Sequence, residues 1–238
     1  MKNSLHTVQT PVPGGRHFLK TLVAGAAFAI AGSAFAAPVT GDVVLSENFD
    51  NVAGLSAAGW LQVNNSTTPA AGWNQGFGVQ SGSQAGGPNS YVGASYNSTA
   101  NGVGNIDVWL ITSEVQLGVN NLLSFYTAGG GNGYPDFMEV RFSSGAGTDL
   151  NGFTNLLTTV GGAGGYPTNW ANFTAQVSGS SSGRFAFRYL VNDAANNADY
   201  VGVDTLSVTA VPEPASFALI GLGMAGLTLA RRRQQRAA

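Results

Sequence analysis

Glu47 and Asp204 are the two side chains whose positions most need a chemical explanation. Val43, Leu45 and Phe49 recur at every second position, so one strand would carry Glu47 on the same apolar face. Asp204 falls in register with Leu206 and Val208 in the same way. A carboxylate on an apolar face is costly unless it is paired, hydrogen-bonded or bound to a cation. First and last strands that lie side by side would bring the two acids together. An all-oxygen donor set suits calcium, and Glu47 and Asp204, with Asp50 or Asp107, are the candidate ligands. Acids half-exposed at strand ends, or bonded to backbone amides, account for the same pattern without a metal. Both readings stand.

Other chemistries are narrowed by what is missing. Between Pro38 and Ala210 there is no His, Cys or Lys, and the only two histidines are His6 and His17. Serine hydrolysis lacks its base, and a catalytic zinc lacks its usual nitrogen and sulfur ligands. Paired carboxylates remain for glycoside hydrolysis, but no spacing singles out a pair. No catalytic residue is assigned, the chain reads as non-enzymatic, and no cofactor beyond a structural calcium is called for. The runs Gly129-Gly130-Gly131 and Gly161-Gly162-Ala163-Gly164-Gly165 lack the Lys-Ser/Thr of a phosphate cradle and read as loops. Trp60, Trp73, Trp109 and Trp170 belong mainly to a core. Trp73, in a glycine-rich stretch beside Asn74 and Gln75, is the candidate platform for stacking on a sugar.

The elements that must position these residues are strands. The chain has 238 residues, 34 of them glycine, and only 9% charged. Its 13 Phe, 7 Tyr and 4 Trp are too many large apolar groups for a chain that never packs. Eleven acids face three bases (Arg141, Arg184 and Arg188) between Pro38 and Ala210, a formal −8 that argues against nucleic acid. Alternating segments separated by Gly, Asn and Ser predict strands over 42–49, 60–64, 90–96, 107–117, 122–127, 137–143, 153–160, 170–177, 184–191 and 200–209. Met138, Val140 and Phe142 on one face of 137–143, and Phe185, Phe187, Tyr189 and Val191 on one face of 184–191, are the cleanest. The expectation is an all-β antiparallel sandwich of jelly-roll type over 37–210.

Both ends read as address labels. Lys2, Arg16 and Lys20 precede an apolar stretch, Leu22 to Ala31, and then the small-residue site Ala34-Phe35-Ala36. That order predicts a signal peptide over 1–36, cleaved after Ala36 by signal peptidase once the secretion machinery has engaged it. At the other end Val211-Pro212-Glu213-Pro214 precedes an uncharged apolar run, Ala215 to Ala230. Arg231, Arg232 and Arg233 follow, with the basic end reaching residue 236. The run would be about 24 Å long as a helix, a short transmembrane helix whose arginines stay in the cytoplasm.

This tail over 211–238 resembles the PEP-CTERM sorting signal. The resemblance implies recognition and cutting by an exosortase in a Gram-negative bacterium that makes exopolysaccharide. It implies a chain exported, held transiently in the inner membrane, and then placed at the cell surface or outside. A second resemblance covers Val44 to Val208. Glu47-Asn48-Phe49-Asp50, Gly59-Trp60, Asp107-Val108-Trp109-Leu110-Ile111-Thr112, Leu123-Ser124-Phe125-Tyr126, Asp136-Phe137-Met138-Glu139-Val140, Phe185-Ala186-Phe187-Arg188-Tyr189 and Val203-Asp204-Thr205-Leu206-Ser207-Val208 follow in the order of a choice-of-anchor J domain, similar to cleaved-adhesin and MAM-like modules. It implies a jelly-roll sandwich without catalytic activity. The expected role is adhesive or structural, in exopolysaccharide or biofilm, alongside other surface proteins. A carbohydrate-binding module is the alternative, and a glycosidase-like enzyme stands third.

Overall fold

A computed structural model describes residues 38–79 and 81–211, together with Met224. The chain divides into two units, residues 1–35 and 36–238. The predicted signal peptide with Ala34 and Ala36, and, Met224 apart, the sorting segment from Pro212 through Arg231, Arg232 and Arg233, lie outside the described residues. Among the described residues no helix is long and apolar enough to cross a membrane.

Among the described residues the strands are β1 (Val43–Glu47), β2 (Leu61–Asn64), β3 (Asn74–Gln75), β4 (Val92–Ser95), β5 (Ile106–Ile111), β6 (Val115–Gln116), β7 (Asn120–Gly129), β8 (Phe137–Ser144), β9 (Asn155–Gly161), β10 (Ala171–Ser178), β11 (Ser182–Val191) and β12 (Tyr200–Val211), joined by short 3-10 turns and a four-residue helix, α1 (Ala194–Asn197). One sheet runs β10-β7-β12-β4-β3, with β1 added to β12; the other runs β2-β5-β11-β8-β9, with β6 added to β11. Every pairing is antiparallel. The protein is therefore the β-sandwich that the alternation predicts.

The two clean strands pack as their period requires. Met138, Val140, Phe142, Phe185, Phe187 and Tyr189 are all buried, and Phe125 of β7 meets Phe187 of β11 edge-on between the sheets, 5.1 Å between centroids. Two local expectations are corrected. The predicted strand 107–117 is broken into β5 and β6 because the Thr112 hydroxyl, not a ladder carbonyl, accepts the Phe185 N–H (3.0 Å). Val43 is 60% exposed rather than inward, because a register shift between Val43 and Leu45 turns it over while Leu45 stays against the core.

Turns gather at two poles. β7 runs from Asn120, opposite Val211, to Gly129, opposite Val201, so the poles stand about 30 Å apart at ~3.3 Å per residue. The first pole holds Pro38 at the start of the domain and Val211 at its end. Hydrogen bonds from Gly41 N–H to Ala210 O (2.7 Å) and from Ala210 N–H to Asp42 O (2.9 Å) tie them together. β12 runs to Val211, the last described residue before Pro212. The second pole collects the glycine-rich loop after β7, the loop after β9, α1, and the turn after β4.

Candidate functional site

Asp204 is fully buried in β12 but, contrary to the alternation, not on the face of Leu206 and Val208. A register shift between Asp204 and Ser207 leaves it opposite Tyr126 and in phase with Gly202, where backbone amides meet its charge. Oδ2 accepts from the Gln84 and Ala85 N–H groups (2.8 and 3.1 Å), and Oδ1 accepts from the Thr205 N–H (2.6 Å). Burial raises its pKa above the ordinary carboxylate value, against the lowering effect of those same amides. Glu47 lies on the inward face as predicted: it stands opposite Leu206, as Leu45 stands opposite Val208. Its Oε1 accepts from the Phe49 N–H (2.8 Å). Asp50 is exposed, with Oδ1 3.0 Å from where a Cβ on Gly86 would sit, beside the loop that serves Asp204. The donor set is all oxygen and so suits calcium in kind. Asp204 would join it through oxygens already in use, and among the described residues no three acids form a compact metal-holding group.

Asp107 does not belong with them. It lies in β5 of the opposite sheet and is bound through both oxygens by Arg188 (2.7 and 2.9 Å). Arg188 also reaches Glu139 (3.1 Å) and lies over the Trp109 ring at 4.7 Å, and Arg141 closes on Glu139 at 2.7 Å. Burial pushes the Glu139 carboxyl up, but hydrogen bonds and charge from Arg141 and Arg188 outweigh it and hold its pKa below the ordinary value. Asp107 is thus committed to an ion pair on the outer face of the second sheet.

Trp73 is also corrected. It is only 2% exposed, because the Gln62 side chain clamps its backbone from both sides: Nε2 donates to Trp73 O and Oε1 accepts from Trp73 N–H, each at 2.9 Å. The ring is driven into the core and offers no free face to a sugar. Trp60 and Trp109 are buried as expected, while Trp170 is half-buried against Tyr91.

Two exposed tyrosines stand at the second pole. Tyr96 and Tyr134 are 46% and 38% exposed and border one cleft of about 620 Å³ with Asn101, Asn132, Ala198 and Asp199. That volume lies within the usual span of small-ligand sites. Tyr96 is placed by its N–H to Asp199 O (3.0 Å). Asn132 donates to Asp199 Oδ2 (2.9 Å), which orients both polar side chains along the wall. A Cβ at Gly130 would push the Asp199 carboxylate out of this position. A smaller cavity of about 190 Å³ continues from the cleft, sharing Asn132, Tyr134 and Asp199 and reaching Asp136 and Tyr166.

Asp136 forms the floor and is 2% exposed. Its Oδ1 accepts from the Tyr189 hydroxyl (2.5 Å) and from the Asp199 N–H (2.9 Å), so it fixes the Asp199 backbone from below. Burial raises its pKa to about 6 in spite of these bonds. The cleft and the cavity beneath it hold three tyrosines, two amides and two carboxylates, with no Lys or Arg among their lining residues. The sequence signal that marks it is Asn132-Gly133-Tyr134-Pro135-Asp136, a ring set in a loop too small and polar to bury it.

Comparison with known proteins separates the tail from the sandwich. Residues 210–234 match the PEP-CTERM protein-sorting motif. The chain carries this motif, which implies a secreted, surface-sorted protein processed by an exosortase. The sandwich has the fold of cleaved adhesin domains. It is similar to the K1 cleaved adhesin domain of Lys-gingipain from Porphyromonas gingivalis W83, at 23% identity over 71% of this chain and 98% of that one, with a TM-score of 0.56. The K3 cleaved adhesin domain of the same gingipain is similar at 24% identity over the same shares, with a TM-score of 0.51. The CBM22-1 xylan-binding domain of Xyn10C from Paenibacillus barcinonensis aligns over 75% of this chain and all of that one at 16% identity, with a TM-score of 0.45. No curated protein matches the chain.

Proposed function

We propose that the mature domain is a non-catalytic surface module that holds uncharged glycan of the surrounding exopolysaccharide in the Tyr96–Tyr134 cleft. The exosortase-read tail places it at the surface, and its role there is adhesive, in matrix or biofilm. The observation that carries the reading is the pair of exposed tyrosines flanking pre-oriented Asn132 and Asp199. Sugar rings offer C–H faces to aromatic rings and hydroxyls to amides and carboxylates. Carboxylates without a cation beside them repel uronates and accept neutral hexoses. Arg141 and Arg188 are occupied with acids, and Arg184 with the Gly59, Thr112 and Ala146 carbonyls.

The test is binding of the exported chain to an array of neutral and anionic oligosaccharides. Neutral glycans are expected to bind, and Tyr134→Ala to weaken them about tenfold or more, as loss of an aromatic anchor does. The melting temperature should stay near wild type, because the ring is exposed. Retained binding in both Tyr134→Ala and Tyr96→Ala, or a preference for uronates, would dismiss the cleft. Turnover of a bound glycan would instead favour the glycosidase-like reading.

A second reading concerns calcium, favoured by the buried carboxylate of Asp204 and by Asp50 beside the 84–86 loop that serves it. Glu47 and Asp204 would hold a structural ion, with Asp50 beside them, pinning β1 and the 84–86 loop to β12. Chelation should then lower the melting temperature, and added calcium restore it. An unchanged melting curve leaves the amides as the whole explanation.

A further inference from the structure

The first pole carries apolar side chains that the sandwich does not use. Val39, Val43 and Val119 are 67%, 60% and 67% exposed. Val39 and Val119 line one groove of about 470 Å³ with Pro38, Gly118, Ala210 and Val211, and Val43 stands opposite Thr209, two residues before the strand end. The arrangement is held rather than loose. Asp42 Oδ2 accepts from the Val39 N–H (2.8 Å), and a Cβ on Gly118 would lie 3.1 Å from that of Ala210 and 3.4 Å from Pro38 O. Valines left outward on a constrained turn suggest a partner of apolar chemistry.

The chain's own continuation says which one. Val211 lines the groove, and only Pro212, Glu213 and Pro214 separate it from the uncharged run that begins at Ala215. Fully extended, that linker reaches about 14 Å, and two prolines keep it from folding back as a helix. A run in the bilayer therefore brings this pole to the membrane surface and no other. We propose that, while the tail spans the membrane, the Val39–Val43–Val119 pole rests on the outer face of the bilayer with its valines at the boundary between headgroups and acyl chains. The glycan cleft then points away from the lipid, about 30 Å further out at ~3.3 Å per residue along β7. This inference rests on the tail's reading as a membrane span.

The full chain has no cysteine, so single labels report cleanly. Val119→Cys at the first pole and Ala163→Cys, exposed at the second, would each carry an environment-sensitive fluorophore in the full chain reconstituted into zwitterionic vesicles. The expected result is a blue shift at position 119, with quenching by lipid-borne nitroxides and loss of quenching by iodide, while position 163 keeps its aqueous emission. Equal aqueous emission at both sites would overturn the proposal. Shielding from iodide at 119 without nitroxide quenching would overturn it too, since protein rather than lipid would then cover the pole. Flotation with the vesicles reports the tail separately: a chain that fails to float overturns the span, whereas one that floats with a wet label overturns the docking alone.

Discussion

Asp204→Ala is expected to lower the stability of the domain by about 3 kcal/mol, the largest effect of any single polar substitution in it. The change leaves the amides of Gln84, Ala85 and Thr205 without their acceptor. Each buried donor so orphaned costs about 1–3 kcal/mol, and the 84–86 loop recovers part of this by turning to water. At roughly 3 °C per kcal/mol for a domain of this size, the melting temperature should fall by about 10 °C. Asp204→Asn should fall about half as far, because one oxygen remains while the new amide opposes the donors of the loop. A thermal melt of Asp204→Ala that matches wild type would refute the account. Chelator separates the two roles of this residue. If calcium is the main occupant, wild type in chelator drops to the level of the variant; if amides suffice, chelator moves neither protein.

The strands were legible because their residues satisfy one constraint at a time. In β8 and β11 a period of two alone decides which side chains go inward, and nothing in the tertiary structure opposes it. Glu47 could be placed for the same reason, since it follows Leu45 beyond the register shift in β1. Asp204 escaped this rule, because a second shift between it and Ser207 takes it off the face of Leu206 and Val208. Val43 could not, since the register shift that exposes it depends on how β1 meets β12. Trp73 was misread because its glycine-rich surroundings look like a surface loop, whereas Gln62, eleven residues earlier, pulls the segment inward. Asp107 was open to both readings until β5 was set beside β11, where Arg188 claims it.

The cleft was the least legible part. Tyr96, Asn101, Asn132, Tyr134 and Asp199 come from three turns separated in sequence, and only the sandwich topology brings them to one pole. Each residue alone is an ordinary loop side chain. Tyr134 was the one available clue, because a large ring in a loop of Gly and Asn has nowhere to be buried. The tail is the opposite case, since it is read as linear sequence by its processing enzyme and needs no fold to be recognised.

Raising the pH from 4 to 7 is expected to destabilise the protein through Asp136, and Asp136→Asn to remove that dependence. The folded-state pKa is about 6 against 3.8 for the free side chain. The folded chain therefore holds a proton over a range in which the unfolded chain has released it. Stability falls as pH rises wherever the native state binds more protons. The contribution is present in full below 3.8 and is lost as pH climbs through 6. A shift of this size corresponds to about 3 kcal/mol, of which roughly 1 kcal/mol falls between pH 5 and 7. Glu139 acts in the opposite sense, but its pKa is lowered from 4.5, so its loss is confined to more acid conditions. Urea unfolding between pH 5 and 7 thus isolates the rising carboxylate penalty. Asp204 adds to the slope in the same direction, its pKa also being raised by burial. Asn at 136 keeps the oxygen that receives the Tyr189 hydroxyl and the Asp199 N–H, so the variant should fold and be more stable than wild type at pH 7. Identical slopes in wild type and Asp136→Asn would mean that the carboxyl beneath the cleft titrates as an ordinary surface acid. The same carboxyl braces the Asp199 backbone, so a flattened slope with unaltered glycan affinity would show that the brace needs the oxygen and not its charge.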